Sequence, residues 1–278
     1  MHHAVTFFGT EYCMSPIELA PAVEERGFES LWVAEHSHIP ASRLSPWPGG
    51  AELPQFYYDA MDPFAWLSAA AAVTTTLKVA TGICLVVQRD PIQTAKQVAS
   101  IDKISKGRFL FGIGAGWNIE EMNNHGTAGE GRFRLMRERI EAMKEIWTQG
   151  EASYESEHVS FDRIIAKPKP TQKPYPPIHV GGAYPGGARR AIRYANGWIP
   201  IGGREEMDFP EMMADFRKMA EEANRNPEEL EVSIFAAPPD PDFVKRCEDA
   251  GVSRVVYGGP PAGADVVLPF LDELTSLR

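Results

Sequence analysis

The most constraining feature of the sequence is its regular alternation between short apolar, β-rich segments and longer segments with helical periodicity. The β-type segments are residues 4–9, 31–34, 78–87, 108–113, 178–180, 198–201, 231–236 and 254–257. The helical segments are residues 15–27, 63–75, 92–105, 133–147, 187–195, 209–223, 243–250 and 265–277. Eight strands, each followed by a helix, predict an α/β fold of the closed parallel type, a (β/α)8 TIM barrel. A chain of 278 residues fits one such domain, spanning residues 1–278.

Two stretches interrupt the alternation. Residues 39–62, after the second strand, form a connection that is too long for a simple turn and that contains Trp47, Tyr57 and Tyr58. Long loops in compact domains are usually functional or disordered, and these aromatic side chains favour a lid over a pocket. Residues 150–177, before the fifth strand, are predicted to form a small β-hairpin insertion.

Composition limits the class of partner. The formal net charge is −10 and the sequence has no concentrated Lys/Arg run, which argues against nucleic acid as a ligand. No apolar run approaches the roughly 18 residues of a membrane-spanning helix, and no signal peptide is visible. The three cysteines, Cys13, Cys84 and Cys247, are widely spaced and odd in number, so we expect no disulfide framework and a reducing, cytoplasmic location.

The second strand ends in Glu35 and His36, and in barrels of this type the active site lies at the carboxyl ends of the strands. Histidine has an unperturbed pKa near neutrality, which suits proton transfer, so Glu35 and His36 are the candidate catalytic residues. Two other interpretations of His36 stay open at this point. The first is that His36 binds a metal together with His38, although no further ligand set completes a metal site. The second is that His36 is a structural histidine.

Glycine-rich segments follow three other strands. Gly82 lies within an apolar strand, which indicates either a bulge or close approach of a flat ligand to the backbone. Gly114 and Gly116 follow the fourth strand with a spacing that differs from the dinucleotide-binding fingerprint, and they favour a glycine rim beside a planar cofactor. Gly181 and Gly182 precede a helix that carries Arg189, which is typical of a phosphate site. The alternative for this last segment is a flexible connector.

Taken together, the motifs resemble the bacterial luciferase-like monooxygenase superfamily, and in particular its branch that uses the deazaflavin coenzyme F420. The matching segments, in order, are residues 27–36, 62–64, 81–91, 102–108, 112–117, 177–182 and 196–198. The resemblance implies a flavin or deazaflavin bound across the strand ends and a non-proline cis peptide at Gly82–Ile83. It also implies that His36 lies beside the ring, that Ile83 and Cys84 contribute to the cofactor site, and that Gly181 and Gly182 bind its phosphate.

The sequence departs from the F420-dependent sugar-phosphate dehydrogenases of this branch at two positions. Those enzymes carry a catalytic glutamate just after the fourth-strand glycines, where this chain has Trp117, with Glu120 and Glu121 a turn later. They also carry a tryptophan four residues after the histidine, where this chain has Pro40. The cofactor-binding barrel is therefore supported, whereas oxidation of a sugar phosphate is not.

The first hypothesis is an oxidoreductase that transfers a hydride between F420 and a small organic substrate. His36 is its proton source or holds the ring, Glu35 orients His36, and Trp47, Tyr57, Tyr58 and Trp117 line the substrate pocket. The second hypothesis is a two-component monooxygenase that uses FMN reduced by a separate reductase. The third is a non-catalytic flavin-binding or F420-binding barrel. Members of the family are often dimers, so a homodimer is expected.

Overall fold

The computed structural model describes residues 1–50, 52–202 and 208–278, and it confirms the predicted barrel. The wall consists of parallel strands that all run in the same direction. In chain order these are β1 (His2–Phe7), β2 (Ser30–Val33), β3 (Lys78–Thr81), β5 (Phe109–Gly114), β8 (Ile178–Gly181), β9 (Gly197–Ile199), β10 (Glu231–Ala237) and β11 (Arg254–Gly258). The two-residue strand β4 (Cys84–Leu85) follows β3 and also pairs with β5.

Strand pairing runs around the whole circle. In β1, Ala4 pairs with Ser30 of β2 on one side and with Val256 of β11 on the other. The circle closes where β3 pairs with β5, with Val79 opposite Phe109. Because the strands are parallel, their carboxyl ends meet at one rim of the barrel, which we call the C-terminal rim. Active sites of this architecture lie at that rim.

Helices surround the wall, and several begin at an acidic residue followed by proline. They are α1 (Pro16–Glu25), α2 (Pro63–Ala72), α3 (Pro91–Ile104), α4 (Ile119–Asn124), α5 (Arg132–Thr148), α6 (Gly186–Tyr194), α7 (Phe209–Glu222), α8 (Pro241–Asp249) and α9 (Ala264–Thr275). Asp62 and Asp90 cap α2 and α3, because their carboxylates accept hydrogen bonds from the backbone N–H groups of Ala65 and Gln93. Within the described ranges, no helix has the length and apolarity needed to cross a membrane.

The interior of the barrel is filled by side chains and is not an open pore. One buried layer consists of Ala4, Trp32, Ala80, Leu110, Ile199 and Val256. Below it, at the amino-terminal end of the barrel, the Arg254 side chain is fully buried and donates hydrogen bonds to Glu29, Glu231 and Ser233. A buried guanidinium is tolerated only when it is paired in this way.

Residues 78–87 differ from the single long strand predicted for them. The chain forms β3, passes through a cis peptide bond at Gly82–Ile83, forms β4 and then enters a 3-10 turn at Val86–Gln88. The apolar run conceals this break because its residues are buried in the strands and in the turn alike. The cis bond lies where the family resemblance implied it. The predicted β-hairpin insertion is confirmed as β6 (Ala152–Glu155) and β7 (Ser160–Ile164).

His179 in β8 has an unusual setting for a titratable side chain. It is fully buried, and neither ring nitrogen has a hydrogen-bond partner among the described residues. Burial disfavours the charged imidazolium and lowers the pKa of His179 from 6.5 to about 4. The unfolded chain therefore binds a proton between pH 6.5 and pH 4 that the folded chain does not bind, and stability falls as the pH falls through this window.

We expect His179 to contribute a pH-dependent loss of stability of about 2 kcal/mol between pH 7 and pH 5. Chemical denaturation of the wild-type protein and of His179→Gln at both pH values measures it, because only the wild type carries this ionisation. The change in unfolding free energy between the two pH values should be smaller in His179→Gln. The matched control, His2→Gln at an exposed position, should keep the wild-type pH dependence. An equal pH dependence in wild type and His179→Gln would contradict the assignment.

Candidate active site

Glu35 and His36 are both buried at the C-terminal rim, with 6% and 8% of their surface exposed. Their side chains have different partners. The Glu35 carboxylate accepts hydrogen bonds from the backbone N–H of Leu85 and from Nε of Arg89, each at 2.6 Å. Arg89 in turn donates to Asp62 at 2.6 Å. Glu35 therefore ties the end of β2 to β4 and to the start of α2.

The carboxylate partner of His36 is Glu121, and this corrects the predicted orientation of His36 by Glu35. Nδ1 of His36 lies 2.8 Å from Oε2 of Glu121, and the backbone N–H of Ser37 donates to the other Glu121 oxygen at 3.0 Å. Burial acts to raise the pKa of Glu121, but the hydrogen bonds from His36 and Ser37 outweigh it and lower that pKa below its usual value. An ionised Glu121 only accepts hydrogen bonds, so Nδ1 of His36 carries the proton and Nε2 is the nitrogen left for a reactant.

Glu121 is the candidate site residue to which the sequence analysis gave no role, although it noted Glu120 and Glu121 a turn after Trp117. After β5, Gly116 adopts a left-handed conformation (φ 72°), which non-glycine residues rarely take, and turns the chain into Trp117. Asn118 then caps α4, because its side chain accepts a hydrogen bond from the backbone N–H of Glu121. An Asn followed three residues later by Glu is a helix-start signal, and it could have predicted both α4 and the position of Glu121.

Glu120, the preceding residue of α4, holds the loop of residues 39–62. Its carboxylate accepts hydrogen bonds from the backbone N–H groups of Leu44 and Ser45, at 2.7 and 2.9 Å, and from the Ser45 hydroxyl. The Ser45 hydroxyl bond is the main cause that lowers the pKa of Glu120 to about 2. The Ser45 oxygen also accepts from the N–H of Ile119 at 2.9 Å. The first turn of α4 therefore fixes the histidine and the loop together.

Two of the four predicted substrate-pocket residues, Tyr57 and Trp117, lie against His36, and a third, Trp47, packs on Tyr57. The ring centroids of Tyr57 and Trp117 lie 5.2 and 5.8 Å from that of His36, and Trp47 lies 5.6 Å from Tyr57. Phe8, at the end of β1, packs 4.6 Å from Tyr57, and sequence reasoning did not select it.

The fourth residue, Tyr58, is exposed and lies beside Arg43, with 6.0 Å between the guanidinium carbon and the ring centroid. It lines an outer groove of about 480 Å³. The other residues of this groove are Arg43, Ser45, Pro46, Trp47, Gly50, Glu52 and Leu53.

Two of the glycines predicted to face a cofactor, Gly114 and Gly181, lie against Ile83, the second residue of the cis peptide. A Cβ atom on Gly114 would lie 1.9 Å from Cδ1 of Ile83, and one on Gly181 would lie 3.1 Å from it. The absence of side chains at the ends of β5 and β8 thus makes room for Ile83, which is partly buried there. Next to it, Cys84 is fully buried, and burial followed by the nearby Glu35 charge raises the pKa of its thiol.

Gly182 leads from β8 towards α6, and the arginine next to this turn is Arg190. A Cβ atom on Gly182 would lie 2.8 Å from Nη2 of Arg190. Arg189, which the sequence analysis selected, is exposed and lines a separate groove with Met219 and Arg225. One residue along a helix corresponds to a rotation of about 100°, so adjacent arginines point in different directions.

Two histidines lie further out, near Ser37. The Ser37 hydroxyl oxygen lies 2.9 Å from Nδ1 of His38 and 2.6 Å from Nε2 of His125. Nε2 of His38 lies 2.8 Å from the Asn124 amide nitrogen. His38 therefore uses its ring nitrogens on neighbouring side chains and does not share a ligand position with His36. Among the residues that the structure describes, no three His, Cys, Asp or Glu side chains are arranged to hold a metal ion.

With this geometry established, comparison with known proteins identifies the class. Residues 13–238 match the family model for the luciferase-like monooxygenases, and the chain belongs to that family. An uncharacterised protein of Mycobacterium tuberculosis (strain ATCC 25618 / H37Rv) is 34% identical over 283 residues, covering 99% of this chain and 98% of that protein.

More distant relatives include enzymes of known cofactor. An F420-dependent glucose-6-phosphate dehydrogenase of Nakamurella multipartita is 26% identical over 223 residues, covering 77% of this chain and 60% of that enzyme. Among solved structures, the monooxygenase RslO1 from Streptomyces bottropensis superposes with a TM-score of 0.77 at 18% identity, covering 99% of this chain and 98% of that one. The last comparison shows a shared fold.

We expect Glu121→Gln to release the fixed tautomer of His36, because the amide no longer offers two acceptor oxygens. The variant should lose about 1–3 kcal/mol of stability through the unpaired buried donors. ¹⁵N NMR of the His36 ring should report proton occupancy at Nδ1 in the wild type and a mixture of tautomers in the variant. Glu120→Gln removes the same charge one residue away and should leave the His36 spectrum unchanged. A wild-type His36 that carries its proton at Nε2 would contradict the assigned geometry.

Glu120→Ala is expected to loosen the loop of residues 39–62, because the backbone N–H groups of Leu44 and Ser45 lose their acceptor. Hydrogen exchange at these two amides should accelerate by about 10-fold, in line with the loss of a hydrogen bond to a charged group. Exchange in β1 and β11 should stay as in the wild type. Protection of Leu44 and Ser45 that survives the substitution would show that Glu120 does not hold the loop.

Proposed function

We propose that this protein is an F420-dependent oxidoreductase that interconverts a hydroxyl group and a carbonyl group on a small, largely apolar substrate. The observation that carries the proposal is the buried His36–Glu121 pair, which leaves Nε2 of His36 as the reactive nitrogen among aromatic rings. The 26% identical relative from Nakamurella multipartita is an F420-dependent dehydrogenase, which supports the choice of cofactor and of reaction class.

The residues at the C-terminal rim fit a flat cofactor with an anionic tail. Ile83 fills the space above Gly114 and Gly181, and it would provide an apolar surface against a ring system. Gly182 and Arg190 would receive a phosphate, because a glycine turn next to a guanidinium is a suitable anion site. The predicted contributions of Gly82, Cys84 and Gly116 to cofactor binding remain part of this proposal, and Arg190 takes the place that the sequence analysis gave to Arg189. F420, if held by these residues, would supply the hydride-accepting and hydride-donating chemistry of its deazaflavin ring.

In this proposal, His36 accepts and donates the proton of the reaction, and Glu121 stabilises its charged form. In the oxidative direction, Nε2 of His36 would accept the proton of the substrate hydroxyl, the hydride of the carbinol C–H bond would pass to oxidised F420, and the C–O bond would become a carbonyl. Glu121 stabilises the imidazolium that forms, since its carboxylate stays on Nδ1 throughout. In the reductive direction the same Nε2 donates the proton to the carbonyl oxygen. Glu35 holds β4 and Arg89 in place and acts as a positioning residue.

The substrate side is aromatic. Tyr57 and Trp117 lie directly against His36, and Phe8 and Trp47 extend the surface beyond Tyr57. Such a surface contributes binding energy through buried apolar area, which favours an aliphatic or aromatic alcohol over a phosphorylated sugar. Glu120 keeps the loop that contains Trp47 and Tyr57 next to α4, and the loop would exclude water from the reacting atoms.

The decisive experiment combines cofactor titration with substitution of His36. Purified protein is titrated with F420 and separately with FMN, and turnover is then followed with a panel of secondary alcohols and ketones. We expect F420 to bind more tightly, and His36→Ala to lower kcat by about 10²- to 10⁴-fold through loss of the general base. The dissociation constant for F420 should change little.

His38→Ala, two residues further on, is the matched control and should retain most of the activity, because His38 belongs to the outer network of Ser37 and Asn124. Tight binding of FMN with no binding of F420 would overturn the proposal in favour of a monooxygenase supplied by a separate reductase. Unchanged turnover in His36→Ala would remove His36 from the mechanism.

A further inference from the structure

Two arginines from different helices lie on one phenylalanine ring at the C-terminal rim. The guanidinium carbon of Arg190 in α6 is 4.0 Å from the ring centroid of Phe133 in α5, and that of Arg132 is 4.6 Å from it. Phe133 itself is 42% exposed, so the stack lies at the surface of the molecule. An exposed apolar ring covered by two like charges needs a physical reason.

The stack adjoins the turn where a cofactor phosphate is expected. Nη2 of Arg190 lies 2.8 Å from the position of a Cβ atom on Gly182, and Nη1 lies 3.3 Å from that on Gly186. The bare backbone at both positions leaves room for the guanidinium. Arg132 is the first residue of α5 and donates to the carbonyl of Gly129. Arg190 therefore joins the stack to the turn after β8, and Arg132 joins it to the start of α5.

Neither cation of the stack is neutralised by a carboxylate in residues 1–50, 52–202 or 208–278. The Nε atoms of Arg132 and Arg190 are buried without a hydrogen-bond partner there. Other arginines of α5 have acidic partners: Arg134 pairs with Glu138, and Arg137 lies 3.6 Å from Glu141. In a chain of net charge −10, two adjacent arginines without acidic partners indicate a site for an anion.

We propose that Arg190 and Arg132, supported by Phe133, bind the anionic tail of the cofactor, with Arg190 at its phosphate end and Arg132 at the carboxylates of the oligoglutamate chain beyond the phosphate. The inference rests on the proposed function, because F420 carries a chain of glutamate carboxylates after its phosphodiester whereas FMN ends in a single phosphate. A planar guanidinium binds carboxylate or phosphate through a fork of N–H groups, and stacking on an aromatic ring leaves that fork available. Two separate guanidiniums suit successive anionic groups along a chain better than one terminal phosphate.

The two arginines would contact different parts of the ligand because they lie at different positions. Arg190 touches the glycine turn and would contact the phosphate or the first carboxylate, whereas Arg132, on the other helix, would contact a carboxylate further along the tail. Loss of Arg190 should therefore weaken every phosphorylated ligand. Loss of Arg132 should weaken only a ligand that has the tail.

The test measures equilibrium binding by fluorescence for F420 with several glutamates, for the tail-less deazaflavin riboside and for FMN. We expect Arg132→Ala to weaken F420 about 10-fold and Arg190→Ala to weaken it about 10- to 100-fold, as expected for charge-assisted hydrogen bonds. Affinity for the tail-less deazaflavin should change less than about 2-fold in both variants. Arg163→Ala, which removes an exposed arginine of the β6–β7 hairpin, is the charge-matched control and should bind F420 like the wild type.

The outcomes separate this inference from the proposed function. Wild-type protein that binds FMN and not F420 contradicts the proposed function itself. Wild-type protein that binds F420, together with Arg132→Ala and Arg190→Ala variants of unchanged affinity, contradicts only the tail site. An equal loss of affinity for F420 and the tail-less deazaflavin would also overturn it, since the arginines would then act on the ring site. Arg190→Lys, with melting temperatures for all variants, shows whether any loss comes from misfolding.

Discussion

The buried Glu121 carboxylate is the interaction on which the rest of the candidate site depends. It accepts hydrogen bonds from Nδ1 of His36 and from the Ser37 backbone, which are 85 and 84 residues away in the chain. A carboxylate that has lost its water is stable only if such donors replace it, so the end of β2 and the first turn of α4 fix each other. Glu120 joins the loop of residues 39–62 to the same turn. A six-residue helix thereby sets the tautomer of the histidine and helps to place the aromatic wall, which consists of Phe8, Trp47, Tyr57 and Trp117.

A second carboxylate, Glu35, works on the opposite side of the same strand end. It fixes β4 after the Gly82–Ile83 peptide and holds Arg89, which also binds the cap of α2. Consecutive residues of one strand end therefore stabilise two neighbouring connections of the barrel. The side chains of Glu35 and His36 have different partners, although the two residues are adjacent in the sequence. Their position at a strand end predicts a candidate active site, whereas their hydrogen-bond partners distinguish Glu35, which holds β4 and Arg89, from His36, which pairs with Glu121.

The sequence predicts the barrel well because the period of its apolar residues is a direct consequence of strands and helices packing in two layers. The caps Asp62 and Asp90 are equally local, so their helices begin within one residue of the prediction. The interactions that the sequence did not reveal are non-local or too short to show a period. Helix α4 spans fewer than two turns, and the target of Glu121 lies on another strand. Choosing between Arg189 and Arg190 requires the phase of a helix to better than one residue, which periodicity alone does not provide.

The site is divided between two parts of the rim. The ends of β1, β2 and β5 carry His36 and the aromatic wall, whereas the end of β8 and the first turns of α5 and α6 carry the arginine stack. Ile83 lies against Gly114 of β5 and Gly181 of β8, and so stands next to a strand end from each of the two parts. Under the proposed function, changes in the loop of residues 39–62 would alter the choice of substrate without disturbing the arginine stack. Such a separation would allow one barrel to accept different substrates, and the departure at Trp117 would bear on the substrate.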